Sequence, residues 1–223
     1  MIYLFSANGL PFLESVTFAR TLYAFDFDGT LANSLPVVID ITENLLQRKV
    51  EDADIRRYKN MTVKQILKET KVPIYKVPSL LVKGRPLLQK RMNEVELFDG
   101  FEQVIELLAK QGHRLFIVSS NSAGIINTFL VENNLKKYFK KVYGNVGIFS
   151  KAQALKKVIK RENIDIKNVV YIGDEVRDAE AAKKIKIKII SVTWGYNGKE
   201  ILAKYKPDYL VNKPEEILKI IND

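Results

Sequence analysis

Short apolar runs recur along the chain at residues 23–27, 115–119, 141–143, 169–172 and 187–192. Each is of strand length, and several are β-branched. Between them, apolar positions return every three or four residues. The stretch FEQVIELLAKQG (101–112) has this spacing and stops at a glycine; SAGIINTFLVENN (122–134), KAQALKKVIKREN (151–163) and the shorter DAEAAKKIK (178–186) follow. Strands alternating with helices predict an α/β fold: a Rossmann-like, mostly parallel sheet with helices on both faces.

The rhythm changes between residues 34 and 96. LPVVIDITENLLQRKV, DADIRRYK, TVKQILKETKV and VPSLLVKGRPLLQKRMNEV all read as helices or fragments of helices, punctuated by Pro73, Pro78 and Pro86. Strand signals are weak there. The pattern divides the chain into an α/β core formed by 1–33 and 97–223 and an inserted α-helical cap at 34–96. Residues 1–22 form an N-terminal extension to the core. Within it, MIYLF and the turn-like SANGLPF read either as a hairpin or added edge strand, or as a lead into the first core strand.

Composition narrows the setting. The 223 residues suit one domain carrying a modest insert, with 47% apolar and 28% charged positions. No apolar run has membrane-spanning length. The start lacks a basic leading segment, so a secretory signal is not expected. With no cysteine, disulfides and thiolate metal sites are excluded, and a cytoplasmic location is expected. The net charge of +10 is spread over amphipathic and strand-flanking positions without a nucleic-acid module. It reads as a basic solvated face, with neither nucleic acid nor membrane expected as partner. Oligomeric state stays open between monomer and homodimer.

Chemistry gathers at the ends of two apolar runs. YAFDFDGTLANS places Asp26 and Asp28 two residues apart, on one face if the strand continues that far. Gly29 permits a tight turn, and Thr30 is a candidate cap for the next helix. In VVYIGDEVRDAEAA, Asp174 stands at the strand's end, Glu175 reads as exposed or supporting, and Asp178 opens a helix. Ligands of open α/β sheets collect outside such strand tips. Asp26, Asp28 and Asp174 are therefore expected to converge around a hard cation such as Mg²⁺, which takes oxygen ligands. A single histidine and no cysteine make zinc a poor fit. Ser119, ending LFIVSS, can donate to an anionic oxygen or serve a turn; Lys151 can neutralise phosphate or belong to the basic surface.

In these strings the chain resembles the haloacid dehalogenase superfamily of hydrolases, in its phosphatase branch. DFDGTL, LFIVSS, Lys151 and YIGDEVRD stand in the order of that family's four motifs, and the tail VTWGYNGKEILAKYKPDYLVNKPEEILKI is similar to that of phosphoglycolate phosphatases. The resemblance implies a phosphatase in which Asp26 attacks phosphorus and forms an aspartyl-phosphate. Asp28 would protonate the leaving oxygen and then activate water. The Asp26 carboxylate, the Asp28 backbone carbonyl and Asp174 would hold Mg²⁺. Ser119 would bind a phosphoryl oxygen, Lys151 would orient the nucleophile, and Asp178 would hold Asp174 or a metal-bound water. Backbone near Phe27 and Ser120 would seat the phosphate. Asp28 argues against a dehalogenase, which lacks this second acid. The chain departs from the family in its extension before Asp26 and in IKIKI, which offers no glycine after the helix at 178–186.

Cap residues are expected to choose the substrate. Arg85 is the candidate contact for a carboxylate or second phosphate. The expected substrate is a small anionic phosphorylated metabolite such as 2-phosphoglycolate. Two alternatives use the same residues or the same charge: a phosphotransferase or sugar-phosphate mutase, and a non-enzymatic anion-binding or nucleic-acid-binding protein. Cap movement would hinge near 33–36 and 96–100.

Overall fold

The computed structural model describes residues 21–147 and 150–222. The hairpin considered at 1–20 lies outside them. Six strands form one sheet: β1 (Leu22–Phe25), β2 (Arg114–Val118), β3 (Phe139–Tyr143), β4 (Val169–Gly173), β5 (Lys188–Val192) and β6 (Tyr209–Val211). Their order is β3-β2-β1-β4-β5-β6, and every neighbouring pair is parallel. The chain thus builds outward from β1 in one direction and then, after β3, returns to β1's other side. The crevice beside β1 is the switch point at which doubly wound sheets bind ligands.

Alternation along β1 sorts the two faces. Tyr23 and Phe25, in register with Leu115 and Ile117, point into a buried layer with α5 (Phe101–Lys110), α6 (Ala123–Glu132) and α10 (Glu215–Asn222). Leu22 and Ala24 face the opposite way, with Phe116, Val118 and Tyr171, against α7 (Lys151–Glu162) and α8 (Val176–Ile185). Each fully buried Leu or Phe in these layers stabilises the fold by about 1.5–3 kcal/mol. Two buried layers explain why the strands read as continuous apolar runs rather than as alternating ones. The sheet also holds β6, which the sequence pattern passes over because three residues carry no usable period. α9 (Lys199–Lys204) connects β5 to β6.

Between β1 and β2 lie α1 (Leu35–Leu46), α2 (Asp52–Tyr58), α3 (Val63–Glu69) and α4 (Val77–Lys90). Val37 and Ile41 of α1 and Leu88 of α4 are buried continuously with the α5 side of the core, whereas α2 and α3 bury no side chain completely. The prolines punctuate less than their positions suggest: Pro78 occupies the first turn of α4, and Pro86 lies inside it. The two junctions of this helical segment pair with each other. Ala32 bridges Leu97 antiparallel, and the Asn33 amide donates to the Glu96 carbonyl at 2.8 Å. Among the described residues no helix is long and apolar enough to cross a membrane.

Candidate active site

The carboxyl ends of β1, β2 and β4 bring the motif residues together. Asp26 directly follows β1, Ser119 follows β2, and Asp174 follows β4. All three side chains are buried. Lys151, the first residue of α7, reaches across the sheet end: its Nζ lies 2.5 Å from Asp26 Oδ2 and also donates to Asp178 Oδ1. The other Asp26 oxygen accepts from the Phe27 amide at 2.8 Å. Burial alone would raise the Asp26 carboxyl, but the charges of Lys151 and Arg177 override it and hold this group below the usual carboxylate value. Lys151 is likewise desolvated, yet Asp178 and Asp26 hold its ammonium above the ordinary lysine value.

Among the described residues, Asp26, Asp174 and Asp178 each offer an oxygen within 4.8 Å of the others. Asp28 does not join this trio with its carboxylate. β1 ends at Phe25, so the strand alternation that would put residues 26 and 28 on one face has already stopped. The Asp28 carboxylate instead accepts from Ser34 Oγ at 2.8 Å and from Asn121 Nδ2 at 3.0 and 3.2 Å. Burial first, with the nearby Asp26 charge, pushes it up to about 6 against the opposing effect of the Ser34 and Asn121 bonds.

Asp174 is anchored through both oxygens, by Thr30 Oγ1 at 2.7 Å and the Tyr196 amide at 2.7 Å. Thr30 therefore fixes this acid rather than capping α1, whose N-cap residue is Ser34. A Cβ at Gly29, where φ is +75°, would fall 2.2 Å from Asp174 Oδ2; one at Gly195 would fall 2.3 Å from it. Both glycines are needed for backbone to close over this carboxylate. Desolvation, then the charges of Glu175, Asp178 and Asp26, push Asp174 well above the carboxylate range. Three buried acids so crowded, oxygen donors only, fit a hard divalent cation that would relieve their repulsion.

Asp178 is the third residue of α8 rather than its opening. It forms a reciprocal cap with Glu175, accepting the Glu175 amide at 3.0 Å. Desolvation, offset by Lys151 and reinforced by Asp26, raises its carboxyl to about 6. Glu175 is buried, not exposed, and pairs with Arg177.

A cavity of about 300 Å³ opens beside Asp28, between this cluster and the helical segment. Ser120, Asn121, Arg85, Glu175, Arg177 and Tyr196 line it with Asp28; its remaining wall is largely aliphatic, from α1 and α4. Arg85 spans from α4 to the core, donating to the Ser120 carbonyl at 2.8 Å. Ser119 Oγ accepts the Asn121 amide at 3.3 Å. The Phe27 side chain is buried edge-on against Phe129, so only its backbone belongs to the site.

Sequence reasoning passes over Thr30 as an anchor and over Ser34, Asn121, Tyr196 and Arg177. Asn121 and Ser34 resemble ordinary turn residues, and only the tertiary meeting of β1 and β2 brings them onto Asp28. Arg177 looks like a surface charge in a polar helix start. It is instead 20% exposed, with Nε and Nη1 buried and lacking a hydrogen-bond partner among the described residues. Each such orphaned donor costs about 1–3 kcal/mol.

The model of the haloacid dehalogenase-like hydrolase family matches residues 23–192. Over 201 residues the chain is 30% identical to a phosphoglycolate phosphatase of Synechococcus elongatus, covering 88% of this chain and 95% of that one. It is 26% identical to the pyrophosphatase PpaX of Listeria innocua, over 91% of this chain and 97% of the relative. In fold it is similar to the crystal structure of a predicted phosphatase from Clostridium acetobutylicum, with a TM-score of 0.78, 24% identity, and coverage of 91% and 98% of the two chains. The family match runs from β1 through β5 and takes in the helical segment and the acidic strand tips: the chain belongs to the haloacid dehalogenase-like hydrolase family and is similar over most of its length to a phosphoglycolate phosphatase.

Proposed function

We propose that the protein hydrolyses phosphomonoesters through an aspartyl-phosphate on Asp26, and that its substrate is a small anionic phosphorylated metabolite, 2-phosphoglycolate being the first to test. One observation carries the reading: the two acids of DFDGT are separated into different surroundings. Asp26 is locked to Lys151 within the carboxylate trio, and Asp28 lines the cavity on the other side. Divergent environments for neighbouring carboxylates suit one to be nucleophile and the other to be acid and base. The similarity to the phosphoglycolate phosphatase of Synechococcus elongatus, and Arg85 at the cavity, support 2-phosphoglycolate.

Asp26, Asp174 and Asp178, with the Asp28 backbone carbonyl, are the groups that would hold Mg²⁺. Bound there, the ion would offset phosphate charge and stabilise charge developing at phosphorus. Lys151 keeps Asp26 ionised and fixed for in-line attack. As the Asp26 oxygen bonds to phosphorus, the bond to the leaving oxygen breaks, and the Asp28 carboxyl gives that oxygen its proton. The Ser119 hydroxyl donates to a phosphoryl oxygen. Asp28, now ionised, takes a proton from water as the water oxygen attacks phosphorus. The bond to Asp26 breaks, and phosphate and the free carboxylate are restored. Residues 34–96 act in this reading as a cap whose closure excludes bulk water, with the paired junctions at Ala32–Asn33 and Glu96–Leu97 as its base.

The test is phosphate release from 2-phosphoglycolate with Mg²⁺ present, compared with Asp26→Asn. The variant should lose turnover by about 10³-fold or more. Retained turnover would remove Asp26 as nucleophile; phosphate passed to an acceptor alcohol without net release would make the protein a transferase.

A further inference from the structure

The cavity beside Asp28 tells where the leaving group goes, because Asp28 lines it and Asp26, Lys151 and Asp174 do not. On the mechanism proposed above, Asp28 meets the departing oxygen, so the rest of the alcohol must extend into this space. Its walls are mostly Val, Ile and Leu side chains of α1 and α4. The charged groups on this lining are two carboxylates, Asp28 and Glu175, and two guanidinium groups. Arg85 enters from α4 and Arg177 from the first turn of α8, so the two come from the helical segment and from the core.

The two arginines are not in the same state. Arg85 already has an acceptor, the Ser120 carbonyl. Arg177 spends one nitrogen on Glu175, and among the described residues its Nε and Nη1 are buried without a partner. A guanidinium is a fork built to bind two oxygens at once, and it stays charged under all working conditions. A structural role as the partner of Glu175 would use one donor and leave the remaining, dry donors unexplained. Those two nitrogens have no accessible surface in this conformation, so an arriving anion would satisfy them as the guanidinium turns toward the cavity.

We propose that Arg177 is a specificity-determining residue: with Arg85 it forms a two-sided clamp, closed from core and helical segment together, for a second anionic group on the leaving alcohol, a carboxylate or a further phosphate. This rests on the hydrolytic reading above. It also gives the helical segment a reason to close, since the anion bridges one arginine from each side.

The experiment compares 2-phosphoglycolate with ethyl phosphate, which keeps the two-carbon skeleton and lacks the carboxylate, in the wild-type protein, Arg177→Met and Arg177→Lys. The readout is the ratio of kcat/KM for the two esters, so a general loss of activity cancels. The wild type should favour the carboxylate ester. Arg177→Met should lower that ratio about 10- to 100-fold, as expected for hydrogen bonds to a charged group. Arg177→Lys keeps the charge without the fork and should fall between them, which retains a test if the Met variant does not fold. A wild type that favours ethyl phosphate, or a ratio unmoved by either substitution, overturns the clamp. A wild type that releases phosphate from neither ester and from no other phosphomonoester overturns the hydrolytic reading itself.

Discussion

At Asp26 the nearest charge is an ammonium 2.5 Å away, whereas at Asp28 the nearest donors are a neutral hydroxyl and a neutral amide. The first arrangement favours a permanent carboxylate. The second lets burial keep the group close to the proton, with its carboxyl pushed up to about 6. Asn121 and Ser34 fix the orientation of Asp28 without fixing its charge, which is what an acid that later becomes a base requires. Asp28→Asn keeps the size and one acceptor oxygen while removing the transferable proton. We expect kcat to fall about 10²- to 10⁴-fold with KM little changed. Steady-state kinetics on 2-phosphoglycolate check this. A rise in KM with kcat intact would mean that Asp28 only binds substrate. Asn121→Ala should move kcat in the same direction by less, because it frees the carboxylate to turn without removing it.

Two connections show where an element's sequence decides its geometry. α8 is capped at its C-terminus by Lys186 at φ 60°, a left-handed position that glycine adopts without strain. A side chain there costs about 1–2 kcal/mol, partly offset by the entropy glycine would lose. Lys186→Gly should therefore raise stability by about 0.5–1 kcal/mol, read as a higher denaturation midpoint at unchanged slope. The second connection is Asn197. Its Oδ1 accepts the Val176 amide at 2.9 Å at the start of α8, and its Nδ2 donates to the Met61 carbonyl at 3.0 Å, between α2 and α3. One buried side chain thus ties the loosely packed part of the helical segment to the core. Asn197→Ala should cost about 1–3 kcal/mol and increase hydrogen exchange across 52–69 before the sheet is affected. Unchanged exchange there would show that the seam bears no load. These elements also mark how far sequence reads. The five longer strands, the helices between them and the acids at strand tips are visible because each depends on local period and a local terminus. Which carboxylates meet is not local. Alternation would group Asp28 with Asp26, but the chain turns after Phe25, and Asp178 fills the place through a helix cap that only the folded α8 creates. Asn197 to Met61 spans most of the chain, and no periodicity encodes such a bond.

Over the whole molecule, the site is a concentration of buried acids within a chain of net charge +10. On the proposed reading the basic surface would draw phosphorylated anions inward, and the acidic centre would need a cation before phosphate could settle. Stability carries its own electrostatic signature, separable from the site. The chain's one histidine, His113, lies just before β2 with its ring edge-on to Tyr23 at 5.1 Å. It is half-buried, and desolvation lowers its pKa from the ordinary 6.5. Its Nδ1 is buried without a hydrogen-bond partner among the described residues. The unfolded chain therefore takes up this proton at higher pH than the folded one, so stability rises with pH across the interval between the two values. The contribution is complete above 6.5, declines as pH falls through 6.5, and levels off below the folded-state value. His113→Phe keeps an aromatic ring against Tyr23 and removes the proton site. The melting temperature of the wild type should drop more steeply than the variant's as pH is lowered through this window, while the two run parallel above it. Carboxylates at the acidic centre titrate in both proteins and cancel in the difference. A difference that stays flat through the window would show that His113 is as easily protonated in the fold as in the open chain.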